Sequence, residues 1–99
     1  MSDTRKNYRR REFQQLLDRL PREIRNLALA AFRQFCIDPA LTSLRHRALK
    51  DTGKGAHLPG SFSVSINRQY RAIYFVDGDT NVWYWIGSHA DYDVFTGGR

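Results

Sequence analysis

Tyr70-Arg71-Ala72-Ile73-Tyr74-Phe75-Val76, then Asp77-Gly78-Asp79, then Val82-Trp83-Tyr84-Trp85-Ile86 is the stretch that decides the fold. Two runs of aromatic and β-branched residues flank an Asp-Gly turn signal, the pattern of a β-hairpin. Upstream, Ser61-Phe62-Ser63-Val64-Ser65-Ile66 alternates strictly, as a half-buried strand does. Three strands over 61–66, 70–76 and 82–86 read as an antiparallel meander. Nine of the 13 aromatic residues lie between Phe62 and Phe95. Most of them are expected to pack against helices on one face, leaving the other open.

The first half has a different period. Phe13, Leu16, Leu17, Leu20, Ile24, Leu27, Ala28, Ala31 and Phe35 trace one helical stripe in steps of three and four. Pro21 interrupts it, and proline suits the first turn of a new helix. The spacing predicts helices over 8–19 and 21–36, the second stopped by Asp38-Pro39. Residues 45–50 read as a short edge strand before a loop over 51–60. The fold class is therefore α+β: a helical hairpin on one face of a small, mainly antiparallel, twisted sheet.

Ninety-nine residues suffice for one domain, 1–99. Cys36 is the single cysteine, which excludes an intrachain disulfide and a cysteine zinc cluster. Leu27 to Phe32 is too short an apolar run to span a bilayer, and no apolar segment backs the basic N-terminus as a secretory signal would. A cytoplasmic chain is the expectation. The net charge is +6, and it is lopsided: residues 1–50 hold 12 basic and 5 acidic side chains, residues 51–99 only 4 and 5. Such a field favours nucleic acid, an acidic protein partner or an anionic membrane, or serves only solubility.

Three groups could carry chemistry. Arg45, His46, Arg47, Lys50, Lys54 and His57 form a basic constellation. In a strand Arg45 and Arg47 would share a face and offer two planar forks to phosphate, or simply blunt an edge. Arg71 lies mid-strand, where a charge must be paired or face water; it could hold a phosphate or pair with a carboxylate such as Asp91. Gly87-Ser88-His89-Ala90-Asp91-Tyr92-Asp93 follows the last strand. Ser88 would cap a short helix with His89 and Tyr92 sharing a face. A histidine can exchange protons near neutral pH, or merely pack. Ser88 lacks a nucleophile elbow, and His46, His57 and His89 lack metal-ligand spacing, so no metal or cofactor is expected.

The order of these pieces resembles the RelE/ParE superfamily of bacterial toxin–antitoxin toxins over residues 12–95. The likeness rests on Leu20-Pro21-Arg22-Glu23-Ile24, Asp38-Pro39, Leu44-Arg45-x-x-Ala48-Leu49-Lys50, Ser63-Val64, Tyr70-Arg71-Ala72-Ile73-Tyr74, and Trp83 through Tyr92. The last string, ending Ile86-Gly87-x-His89-x-x-Tyr92, is the most specific. The resemblance implies a microbial-RNase-like fold and a ribosome-dependent endoribonuclease acting on mRNA. Its chemistry would be attack of a ribose 2′-OH on phosphorus, leaving a 2′,3′-cyclic phosphate. It further implies that Arg71 grips the scissile phosphate, that His89 is general acid or base, and that Tyr92 orients the 2′-OH or stacks on a base. Arg45, Arg47 and Lys50, with Lys54 and His57, would bind RNA. A small acidic antitoxin would be the protein partner. A ParE-like gyrase inhibitor without nuclease activity is the alternative on the same fold. The chain departs from the superfamily in two ways: residues 1–10 show no clear hydrophobic first strand, and no carboxylate base matches.

Overall fold

The computed structural model describes residues 5–51 and 53–97; the end of the Gly97-Gly98-Arg99 tail lies outside the described residues. The elements run β1 (Lys6–Arg9), α1 (Arg11–Asp18), α2 (Arg22–Ile37), a 3-10 turn (Thr42–Leu44), β2 (Arg47–Ala48), β3 (Ser61–Ser65), β4 (Tyr70–Asp77), β5 (Thr80–Ser88) and α3 (His89–Phe95). The five strands form one sheet in the order β1-β5-β4-β3-β2. β1 pairs parallel to β5, and all other pairs are antiparallel.

The helix stops act where the sequence places them. Pro21 needs no N–H of its own, and its carbonyl accepts the Arg25 amide at 2.9 Å. Asp38 ends α2 in extended backbone. The two helices lay Phe13 and Leu17, and Ala28, Ala31 and Phe35, onto one sheet face against Val64, Ala72, Tyr74, Trp83 and Ile86. Trp83 is the centre of that core, with Phe32, Phe35 and Tyr74 ring centroids at 5.5, 5.1 and 4.7 Å.

Three expectations need correction. The first helix begins at Arg11, not residue 8, because Lys6–Arg9 form a strand. No hydrophobic pattern marks that strand. It is held by polar contacts: Arg5 donates to the Asn81 Oδ1 at 2.9 Å, and the Asn7 Oδ1 accepts from the Trp83 indole at 3.0 Å. Second, the edge strand is only Arg47–Ala48, since Arg45 adopts left-handed backbone (φ 45°) closing the 3-10 turn. Arg45 and Arg47 therefore do not share a face through strand alternation.

Third, the aromatic residues do not gather on one face. Ile73 lies opposite Trp85 and Tyr74 opposite Trp83, so Tyr84 is an extra residue on β5. This bulge lets Tyr84 and Trp85 both pack on the far face, with Ile73, Phe75, Tyr92, Phe95 and Leu49. The short helix α3 covers that cluster, with Phe95 stacked on Trp85 at 5.0 Å. Gly87 is needed beneath it: a Cβ there would come within 2.7 Å of the Trp85 ring.

Candidate functional site

The site grows from the junction of β5 and α3. The Ser88 Oγ accepts the Asp91 amide at 3.1 Å and caps α3. The cap starts the helix at His89, whose side chain is 48% exposed. One turn on, the Asp93 Oδ2 lies 3.4 Å from the His89 Nδ1. The His89 and Tyr92 ring centroids are 6.1 Å apart, as i, i+3 spacing dictates. Tyr92, however, is 5% exposed, buried with Ile73 and Tyr84 and beside Trp85. A ring sealed in this way has no free face for a base, which removes stacking from its possible roles.

Arg71 reaches the same corner from the neighbouring strand. It lies opposite Gly87, two residues before His89. Its Nη1 donates to the carbonyls of Asn67 (2.9 Å), Tyr70 (3.2 Å) and Arg68 (3.4 Å). No ion pair forms with Asp91: among the described residues Arg71 has no carboxylate within 4 Å. Partial burial lowers its pKa from the ordinary guanidinium value; Tyr92 and Asp93 oppose that shift, while the positive charges of Arg45 and Arg47 add to it. These four groups are therefore near enough to act electrostatically on Arg71.

The basic constellation is divided by the fold. Arg47 lies opposite Ser63, which lies opposite Ile73, and Ser65 lies opposite Arg71. Small serines thus separate the β2 arginine from the β4 arginine. Arg47, Ala48, Leu49 and Lys50 line an open recess of about 250 Å³ along the sheet edge. His57 turns inward: its Nε2–H donates to the Lys50 carbonyl at 2.7 Å, and its Nδ1 is buried without a hydrogen-bond partner among the described residues. It fastens the loop and presents no ring nitrogen to an RNA. Lys54 stands beside Gly97 at the other end of α3 from His89. There Gly55 packs so closely that a Cβ would meet the Thr96 carbonyl carbon at 2.5 Å, and the Ala56 amide donates to Phe95. His46 also leaves the surface group. Its Nε2 hydrogen-bonds the Tyr74 hydroxyl at 2.6 Å, and its ring stacks on Tyr74 and lies tilted against Phe62.

No family model and no curated protein matches this sequence. Solved structures do share its architecture. The toxin–antitoxin complex RelBE2 from Mycobacterium tuberculosis contains a chain 21% identical, with a TM-score of 0.65 over 87% of this chain and 99% of that chain. YafQ from E. coli strain BL21(DE3) is 13% identical, with a TM-score of 0.66 over 89% and 97%. The YoeB/ParE toxin from Agrobacterium tumefaciens is 15% identical, with a TM-score of 0.64 over 85% and 98%. The chain has the RelE-like toxin fold.

Within this RelE-like fold, one polar group went unassigned in the sequence reading. Asp93 has a visible signal, the i, i+4 spacing from His89 that places the two side chains together on a helix. Chemically, the corner offers a half-exposed imidazole backed by a carboxylate, and on the neighbouring strand a guanidinium on which that carboxylate acts. Among the described residues no three His, Cys, Asp or Glu side chains cluster as a metal site requires.

Proposed function

We propose that this chain is the toxin of a type II toxin–antitoxin pair, and that it cleaves mRNA on the ribosome. One observation carries the reading. Arg45 and Arg47 each lie near enough to act on the charge of Arg71, yet none of the three has an ion-pair partner among the described residues, and Asp93, which pairs with His89, also acts on Arg71. Guanidiniums gathered without a direct ion pair suit a polyanion supplied from outside.

The chemistry follows from the positions. Arg71 would hold a non-bridging oxygen of the scissile phosphate and offset the charge that grows there in the transition state. Asp93, with its Oδ2 3.4 Å from the His89 Nδ1, would favour a proton on Nδ1 and leave Nε2 as the base. Nε2 takes the proton of the ribose 2′-OH, and O2′ bonds to phosphorus. The bond from phosphorus to O5′ breaks, and the 5′-oxygen leaves with a proton returned by the imidazolium or by water. The products are a 2′,3′-cyclic phosphate and a 5′-hydroxyl, with no net redox change. The Tyr92 hydroxyl would orient the 2′-OH. Arg45, Arg47 and Lys50 would bind the flanking backbone, and Lys54 would extend that track past the far end of α3. The RelBE2 and DinJ-YafQ structures are toxin–antitoxin complexes, which supports a protein partner here. With a net charge of +6, a small acidic antitoxin is the complementary choice.

Expression of the chain alone in a bacterial host, with transcript 5′ ends mapped, tests this. Growth arrest with new 5′-hydroxyl ends inside translated frames is expected. Arrest with a DNA-damage response and no new ends would replace it with gyrase inhibition. Normal growth would leave a binding module that keeps only the fold.

A further inference from the structure

The connection between β3 and β4, residues 66–69, ties together the two groups assigned to chemistry, and a single side chain shapes it. The Asn67 Oδ1 accepts the Gln69 amide at 2.8 Å and the Tyr70 amide at 2.9 Å. This is a side-chain turn in which asparagine replaces a backbone carbonyl. The turn is closed from outside by the Ile66 amide donating to the Tyr70 carbonyl at 2.9 Å. Held so, it presents two carbonyls. The Asn67 carbonyl takes the Arg71 Nη1 at 2.9 Å, and the Gln69 carbonyl takes the His89 amide at 2.6 Å.

We infer that Asn67 is a positioning residue that sets Arg71 and His89 relative to each other. The inference rests on the nuclease reading above. Arg71 has a long stem and, among the described residues, no carboxylate within 4 Å, so its hydrogen bonds there are those to the turn carbonyls and to Tyr70, and these set where its remaining donors point. His89 opens α3, and its amide is the link that fastens that helix start to the turn. One acceptor thus controls both ends of a pair drawn from different elements. Loss of the Asn67 acceptor frees the Gln69 and Tyr70 amides, the turn carbonyls swing, and the guanidinium and imidazole lose register. A misplacement on the scale of an ångström can cost about a hundredfold in rate.

Aspartate is the conservative control, since its carboxylate accepts both amides as the asparagine oxygen does. Purified wild type, Asn67→Ala and Asn67→Asp are compared on a translated mRNA under single-turnover conditions, alongside amide hydrogen exchange of each free protein. For Asn67→Ala the expected result is a cleavage rate reduced about tenfold or more, with the half-saturating mRNA concentration unchanged. Exchange should speed at Gln69, Tyr70 and His89, while the β4–β5 ladder keeps its protection. Asn67→Asp should restore both readouts to within about threefold of wild type. Unchanged exchange at His89 in Asn67→Ala overturns the inference, as does a full cleavage rate, or an Asp variant as slow as Ala. A wild type that cuts no RNA overturns the nuclease reading instead; the tie through Asn67 is then decided by exchange alone.

Discussion

On the face covered by α1 and α2, Trp83 is sealed among Phe13, Phe32, Phe35 and Tyr74, and the local histidine, His46, hydrogen-bonds the Tyr74 hydroxyl. On the opposite face seven residues of α3 are the covering helix, and its histidine, His89, is 48% exposed beside Asp93. Burial and neighbours separate the two histidines. Burial lowers the pKa of His46 and raises that of Tyr74 to about 12, which favours the neutral form of both. His89 keeps an open ring nitrogen and an acidic neighbour. The difference teaches that a histidine in a RelE-like fold takes its role from the face it occupies, not from its place in the sequence.

The sharpest way to break this comparison is by truncation on each side. Trp83→Ala should cost about 3–5 kcal/mol of stability, read as a large fall in the urea midpoint. Arg71→Ala and His89→Ala should each stay within about 1 kcal/mol of wild type. Equal losses on both faces would show that the α3 side is core rather than site. Gly87→Ala comes next, at about 1–3 kcal/mol, because its methyl collides with the Trp85 ring. Near-UV circular dichroism should report the displaced indole; an unchanged spectrum and midpoint would refute that packing.

How much of this was legible beforehand follows the same divide. Pro21, Asp38-Pro39 and Asp77-Gly78-Asp79 act locally, so the helix ends and the hairpin could be read. β1 could not, since its anchors, Asn81 and Trp83, lie more than 70 positions away. The bulge at Tyr84 was hidden too. Its neighbours are all good strand formers, and only pairing with Tyr74 reveals the extra residue. In the site, helical spacing puts His89 and Tyr92 on one face, and the same rule puts Asp93 beside His89. The division of the basic residues depends on a left-handed Arg45 that closes a 3-10 turn and on a His57 turned onto the Lys50 carbonyl, local turns that a strand pattern does not signal.

Smaller effects sharpen the contrast between the two histidines. Tyr74→Phe should cost about 1 kcal/mol, since it strands the half-buried His46 nitrogen; no change in thermal midpoint would mean that water already serves that group. His46 also predicts a pH dependence. Its folded pKa lies below the ordinary 6.5, so the unfolded chain binds the proton more readily. Its contribution is complete above that pH and fades as pH falls through 6.5 toward the folded value. His46→Phe should therefore flatten the acid side of the stability profile relative to wild type. Identical slopes would contradict the assignment.

The central claim, that Arg71 and His89 act together on one phosphodiester, is tested most directly in a purified translation system carrying one defined mRNA. Wild type should yield fragments ending in 2′,3′-cyclic phosphate and 5′-hydroxyl. Arg71→Ala and His89→Ala should each be slower by about a hundredfold or more, with wild-type unfolding midpoints. Cleavage by both variants at the wild-type rate would contradict the account.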